Sequence, residues 1–193
     1  MLRLAQLTDA DALLERDPLA LLIGMLLDQQ IPMEKAFAGP YVLAERLGVD
    51  HLDAADIADH DPETFAKIFV GPPAIHRFPG AMAGRVQDLA RQLVSDYGGS
   101  AEAVWTGVSS GSDLHARIAA LPGFGAQKAR IFVALLGKQC GVQPQGWREA
   151  AGAYGEERSF RSVADVTSPE TLQKVRSYKK EMKAAAKATA PTG

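Results

Sequence analysis

Leu121-Pro122-Gly123-Phe124-Gly125-Ala126-Gln127-Lys128-Ala129 is a Pro/Gly turn set between two amphipathic helical patterns. Upstream, Leu114, Ile118 and Leu121 recur at i, i+4 and i+7. Downstream, Ile131, Leu135 and Lys138, or Phe132, Val133 and Leu136, continue a largely apolar helical pattern. Two helices therefore flank one short turn. Gly123 and Gly125 lack a Cβ, so the backbone there can take φ > 0 and approach a ligand closely, leaving amide N–H groups free at the start of the second helix. Such an amide cluster suits a phosphate. Lys128, one turn into that helix, either adds a point charge to the same anion or is a solvated surface lysine.

The rest of the composition is compatible with this local picture. Aliphatic residues and alanine dominate, aromatics make up only 7%, and the pattern predicts an all-α protein. A chain of 193 residues buries a core either as one domain or as two small lobes. The formal charge of −2 provides no global basic field, so any affinity for nucleic acid must come from local patches. The apolar run Leu19 to Leu27 is too short for a bilayer, and the N-terminus lacks a signal-peptide pattern, so a cytoplasmic protein without membrane contact is expected. Cys140 is the only cysteine, which excludes an intrachain disulfide and a four-cysteine cluster site.

With both helices and the turn in view, LPGFGAQKA resembles the hairpin of the helix-hairpin-helix base-excision DNA glycosylases, the superfamily of endonuclease III, MutY and AlkA-type enzymes. A second segment strengthens the likeness. Gly24-Met25-Leu26-Leu27-Asp28-Gln29-Gln30, at the end of an early apolar helix, is similar to the family segment whose final glutamine wedges into the duplex, here Gln30. The resemblance covers most of the stretch from Pro18 to Gly137. It implies a six-helix domain over 18–137, a second helical lobe from 1–17 plus 138–193, and a DNA-binding cleft between them. It also implies a monomer acting on double-stranded DNA with a damaged or mispaired base, associated with the nucleoid when bound. Hairpin contacts to DNA fall on Gly123, Phe124, Gly125, Ala126 and Lys128, with a monovalent cation at the hairpin and no other cofactor or metal. The iron–sulfur loop of some members is absent.

Along the chain, Thr8 or Asp9 caps a short helix through Arg16, and Asp17-Pro18 restarts the chain into a helix over Leu19 to Asp28. Phe37, Tyr41, Leu43, Arg46 and Leu47 mark the next helix, up to Gly48. Asp53 to His60 and Pro62 to Val70 are two shorter ones, and Gly71-Pro72-Pro73 is a break. A long helix runs from Pro79 to Tyr97 and ends at Gly98-Gly99. Gly107 to Ser112 reads as a flexible loop, Gly141 to Gly146 as another, Trp147 to Ala151 as a short helix, and a closing helix begins at Pro169. That last helix carries Lys174, Arg176, Lys179, Lys180, Lys183 and Lys187, a basic stripe that either meets phosphates or is simply solvated.

The chemistry departs from the resembled family at two positions. Bifunctional members place a nucleophilic lysine where this chain has Gln127, and an amide nitrogen has no lone pair for attack at C1′. Lys128 is turned by about 100° from that position on a helix of 3.6 residues per turn, so strand cleavage by β-elimination is not expected. The family aspartate that stabilises the cationic sugar falls on Gln145, which carries no charge. An oxocarbenium-like transition state needs a nearby anion or an activated water. The candidate replacements are Asp28, two residues before the wedge, and Glu149, one helical turn past Gln145. The expected activity is that of a monofunctional glycosylase, which flips a base and hydrolyses its N-glycosidic bond without lyase activity. The alternative is a non-catalytic DNA reader of the same fold.

Two further segments carry readings of both kinds. His76-Arg77-Phe78-Pro79 offers imidazole, guanidinium and an aromatic ring that contact a flipped base or phosphate, or else form a packed loop. Trp147 either stacks on an extruded base or anchors a small core, the commoner fate of a tryptophan.

Overall fold

Prolines and aspartates place most of the helix starts. In the computed structural model, which describes residues 1–189, Asp17 caps α2 (Pro18–Leu27): Oδ1 accepts from the amides of Leu19 and Ala20 at 2.9 and 3.0 Å, and Oδ2 from that of Leu52 at 2.7 Å. Pro18 sits at the first helical position, where its missing N–H removes no bond. Asp53 and Asp61 cap α4 (Ala54–Asp59) and α5 (Pro62–Val70) in the same way, and Pro79 opens α6 (Pro79–Tyr97). Gly48, in the left-handed conformation, ends α3 (Met33–Leu47), and Gly98 ends α6.

Two boundary expectations change. α1 (Thr8–Arg16) starts after Leu7 with no side-chain cap, so neither Thr8 nor Asp9 plays that role. The stretch expected as a loop over Gly107 to Ser112 ends earlier, because the Ser110 hydroxyl accepts from the Asp113 amide at 3.1 Å and opens α7 (Gly111–Ala119).

The described residues are helical with no strand, and among them no helix is long and apolar enough to cross a membrane. α2 is the central strut: every residue from Leu19 to Leu27 is buried. α3 packs on one side of it, with the Phe37 ring so close to Gly24 that a Cβ there would come within 2.7 Å. α4 and α5 pack on α6; α7, α8 (Ala126–Gln139) and α9 (Trp147–Ala151) pack on one another; α1 lies over α2 and α3. One connected apolar cluster runs from Leu2 through Val175. The last helix, α10 (Pro169–Thr189), buries Leu172 and Val175 in its first two turns, and from Lys179 through Ala188 every residue is exposed. Residues 190–193, which the expected second lobe includes, lie outside the described residues.

Candidate functional site

The glycine turn is held tightly against the end of α2. Leu121 and Phe124 donate backbone bonds to Ile118 and Leu121, each at 3.1 Å, and Gly123 takes φ +79°, the left-handed region. A Cβ on Gly123 would stand 2.2 Å from Leu26 Cδ1, so this position needs glycine for both its dihedral and its space. Gly125 differs from expectation: its backbone is extended, at φ −112°, so it needs no left-handed freedom. No side chain caps α8, and its first-turn residues Ala126 and Gln127 are exposed. His115 Nε2 donates to the Ala126 carbonyl at 3.0 Å and fixes the second arm of the hairpin to the first. Phe124 is not the surface contact expected of it. Its ring is 7% exposed and packs edge-on to Phe132, at a 6.0 Å centroid distance.

Beside the turn, α2 ends in a tight polar knot. The Leu26 carbonyl accepts from both the Gln29 side chain and the Lys128 ammonium, each at 2.9 Å, so Lys128 ties the hairpin to the negative end of α2. Arg85 Nη1 donates to Gln29 Oε1 at 2.9 Å. Gln30 follows with φ +58°, a conformation uncommon outside glycine, and is exposed. His76 braces this loop from below. Its Nδ1 accepts from the Phe78 amide at 3.0 Å, so Nε2 carries the proton and donates to the Gln29 carbonyl at 2.9 Å. The ring is 1% exposed with both nitrogens engaged, and burial lowers its pKa, so it supports the loop and does not face a ligand as expected. Arg77 is at the surface, its guanidinium 5.3 Å from the Phe78 ring centre.

Between the knot and α10 lies a cavity of about 440 Å³, within the size range of small-ligand sites. Asp28, Gln127, Lys128, Tyr154, Tyr178 and Lys179 line it. Gln127 and Lys128 both reach it, despite the turn of about 100° between them. Gln127 Nε2 donates to the Tyr154 hydroxyl at 2.9 Å. The half-buried Asp28 has its pKa raised, first by burial and further by Glu34, with Lys179 and Lys128 pulling the other way. Burial, helped by Arg85 and opposed by Asp28, lowers Lys128 to about 8. A desolvated carboxylate in a cavity shared with two lysines is suited to holding a polarised water.

The two candidate carboxylates are not brought together. Glu149 is exposed on α9, in a surface depression with Arg148, Glu156 and Glu157, and it does not line the Asp28 cavity. Gln145 is also outside the cavity, and its carbonyl accepts from the Gly111 amide at 2.7 Å. Trp147 packs: it is 8% exposed, with its ring filling the space where a Cβ on Gly137 would stand. Tyr154, Arg161, Tyr178 and Lys179 of the cavity wall were not singled out for such a site by the sequence, because no motif spacing links them to the hairpin. Among the described residues no three His, Cys, Asp or Glu side chains group as metal ligands. No family model, curated protein or solved structure matches the chain.

Proposed function

We propose that this protein binds double-stranded DNA through the hairpin and the Gln30 loop and acts as a monofunctional base-excision glycosylase. The observation that carries this reading is a juxtaposition: Asp28 shares one cavity with Gln127 and Lys128 of the hairpin, two residues from the exposed Gln30. The cavity wall also draws on both halves of the chain. Asp28, Gln127 and Lys128 come from 18–137, and Tyr154, Tyr178 and Lys179 from 138–193, as a cleft between two lobes requires.

In this mechanism Gln30 enters the duplex as a base swings out, and the first-turn amides of α8 hold the adjacent phosphate. Tyr154 and Tyr178 offer rings to the extruded base. As the glycosidic bond breaks, its electron pair leaves with the base and positive charge develops on the sugar. Asp28 stabilises that cation electrostatically. Water then adds at C1′ and gives up a proton to the carboxylate. Lys128 donates to the Leu26 carbonyl, a bond that must break before its nitrogen could attack C1′, so the proposed activity is base release without strand cleavage.

Single-turnover incubation with duplexes carrying uracil, 8-oxoguanine, alkylated purines, mismatches or an abasic analogue tests this. Base release without strand cleavage is expected on at least one duplex, and Asp28→Asn should abolish release while sparing the binding shift. Binding without release on every duplex would leave a silent reader. Neither binding nor release would remove DNA as the partner.

A further inference from the structure

We propose that the outer half of α10 is a second DNA-contacting surface, an arm that tracks the phosphate backbone flanking the cavity. This rests on the DNA-binding function proposed above and extends it to a partner surface remote from the hairpin.

The arrangement of charge on α10 is one-sided. Arg176, Lys180, Lys183 and Lys187 stand at i, i+4, i+7 and i+11, within one narrow strip of the helix, and Lys179 borders it. Glu181 is turned about 100° from Lys180, off the strip, and lines a depression against the 156–161 loop. The inner turns set Leu172 and Val175 against the body, and from Lys179 outward the strip is exposed. Lys180, Lys183 and Lys187 are exposed and form no ion pair among the described residues.

The strip is continuous with the candidate site. At its inner end Arg176 pairs with Glu34 in the first turn of α3, just after the Gln30 loop, and Lys179 lines the Asp28 cavity. From there the helix runs outward, and Arg176 to Lys187 spans about 16 Å at 1.5 Å per residue. A duplex presents one phosphate charge per roughly 1.7 Å of axis, so backbone leaving the cavity in this direction would lie along Lys179, Lys180, Lys183 and Lys187, beyond the Arg176–Glu34 pair. The chain as a whole is formally −2, which makes this concentration a local feature and not the spill-over of a basic protein. A membrane surface fits less well, because an interfacial helix needs a large apolar face and the outer turns offer only Met182 as a large apolar side chain.

The test is the salt dependence of binding to an undamaged fluorescent duplex by the full chain and by a Lys180→Gln/Lys183→Gln/Lys187→Gln variant, with helix content checked by circular dichroism. Each lost phosphate contact lowers the slope of log K against log salt by about 0.9, so the variant should be shallower by about 2.7. Between 50 and 200 mM salt the wild type would then lose roughly 40-fold more affinity than the variant. The corresponding triple Lys→Arg variant should restore the wild-type slope, and Glu181→Gln should leave it unchanged. Wild-type binding with an unchanged slope in the Gln variant overturns the arm but leaves hairpin binding standing, and tighter binding by that variant identifies α10 as an inhibitory strap instead. Absence of binding by the wild type overturns both proposals.

Discussion

Gly123→Ala is the sharpest perturbation of the hairpin, because two separate costs fall on one methyl group. The left-handed backbone at φ +79° costs an L-residue about 1–2 kcal/mol. The new Cβ would also stand 2.2 Å from Leu26 Cδ1, in a core where Leu26 is fully buried, and overpacking of this kind costs about 1–3 kcal/mol. Together they predict about 2–5 kcal/mol, or a fall in Tm of roughly 5–15 °C for a chain of this size. A double-mutant cycle separates the two. Leu26→Ala removes the δ carbons, costing about 2–5 kcal/mol on its own. In that background Gly123→Ala should cost only the dihedral share, about 1–2 kcal/mol, giving a coupling of about 1–3 kcal/mol by urea unfolding. Equal costs in both backgrounds, within about 0.5 kcal/mol, would refute the packing of the turn on α2. Duplex affinity should fall in the single variant as well, since a displaced turn carries Lys128 and the α8 amides with it.

Lys128 titrates at about 8 in the folded chain, so duplex affinity should drop roughly fivefold between pH 7 and 9, the equivalent of ~1 kcal/mol for one lost charged contact, and Lys128→Arg should flatten that drop. The same deprotonation acts on stability with the opposite sign: the unfolded lysine keeps its proton to about 10.5, so stability should rise across the window from about 8 to 10.5, as urea midpoints in the two chains would reveal. His76 has a folded pKa below its ordinary 6.5, so its contribution is intact above 6.5 and fades as pH falls below it; a wild-type loss of Tm between pH 7.5 and 5.5 that persists in His76→Gln would sink this assignment. Burial disfavours the Asp28 carboxylate, so Asp28→Asn should raise Tm even as it removes base release, and a lowered Tm would mean the carboxylate is a structural partner of Lys128 or Lys179.

Most helix boundaries were legible because local chemistry sets them. Pro62, Pro79 and Pro169 open helices where the sequence places them, and Gly48 and Gly98 close helices with left-handed residues. The all-helical class followed from the aliphatic and alanine-rich pattern, and the Trp147–Ala151 helix was read to the residue. What failed was orientation. Phe124 was read as a DNA contact, and His76 as either a ligand contact or part of a packed loop, but which way a loop side chain points is decided by neighbours far away in sequence: Phe132 beneath the first, and the Gln29 carbonyl, 47 residues upstream, for the second. Glu149 lies apart from the Asp28 cavity for the related reason that counting along a chain measures separation and not direction.

The cavity shows the same limit at larger scale. Asp28 and Lys128 were visible as chemistry, yet their meeting depends on 102 residues of chain folding back so that the Lys128 ammonium reaches the carbonyl of Leu26. No periodic pattern encodes that contact, and neither Tyr154 nor Tyr178 lies in a segment whose spacing refers to the hairpin. The helix end supplies the physical reason for the convergence. At the end of α2 the carbonyls of Gly24, Met25 and Leu27 accept backbone N–H groups, and that of Leu26 is left to the side chains of Gln29 and Lys128. The same lysine depends on Asp28 to offset part of its desolvation. Removing the Lys128 charge therefore disturbs a helix cap and the electrostatics of Asp28 together, which is why Lys128→Arg, with the charge kept and the geometry changed, separates the two roles more cleanly than Lys128→Ala.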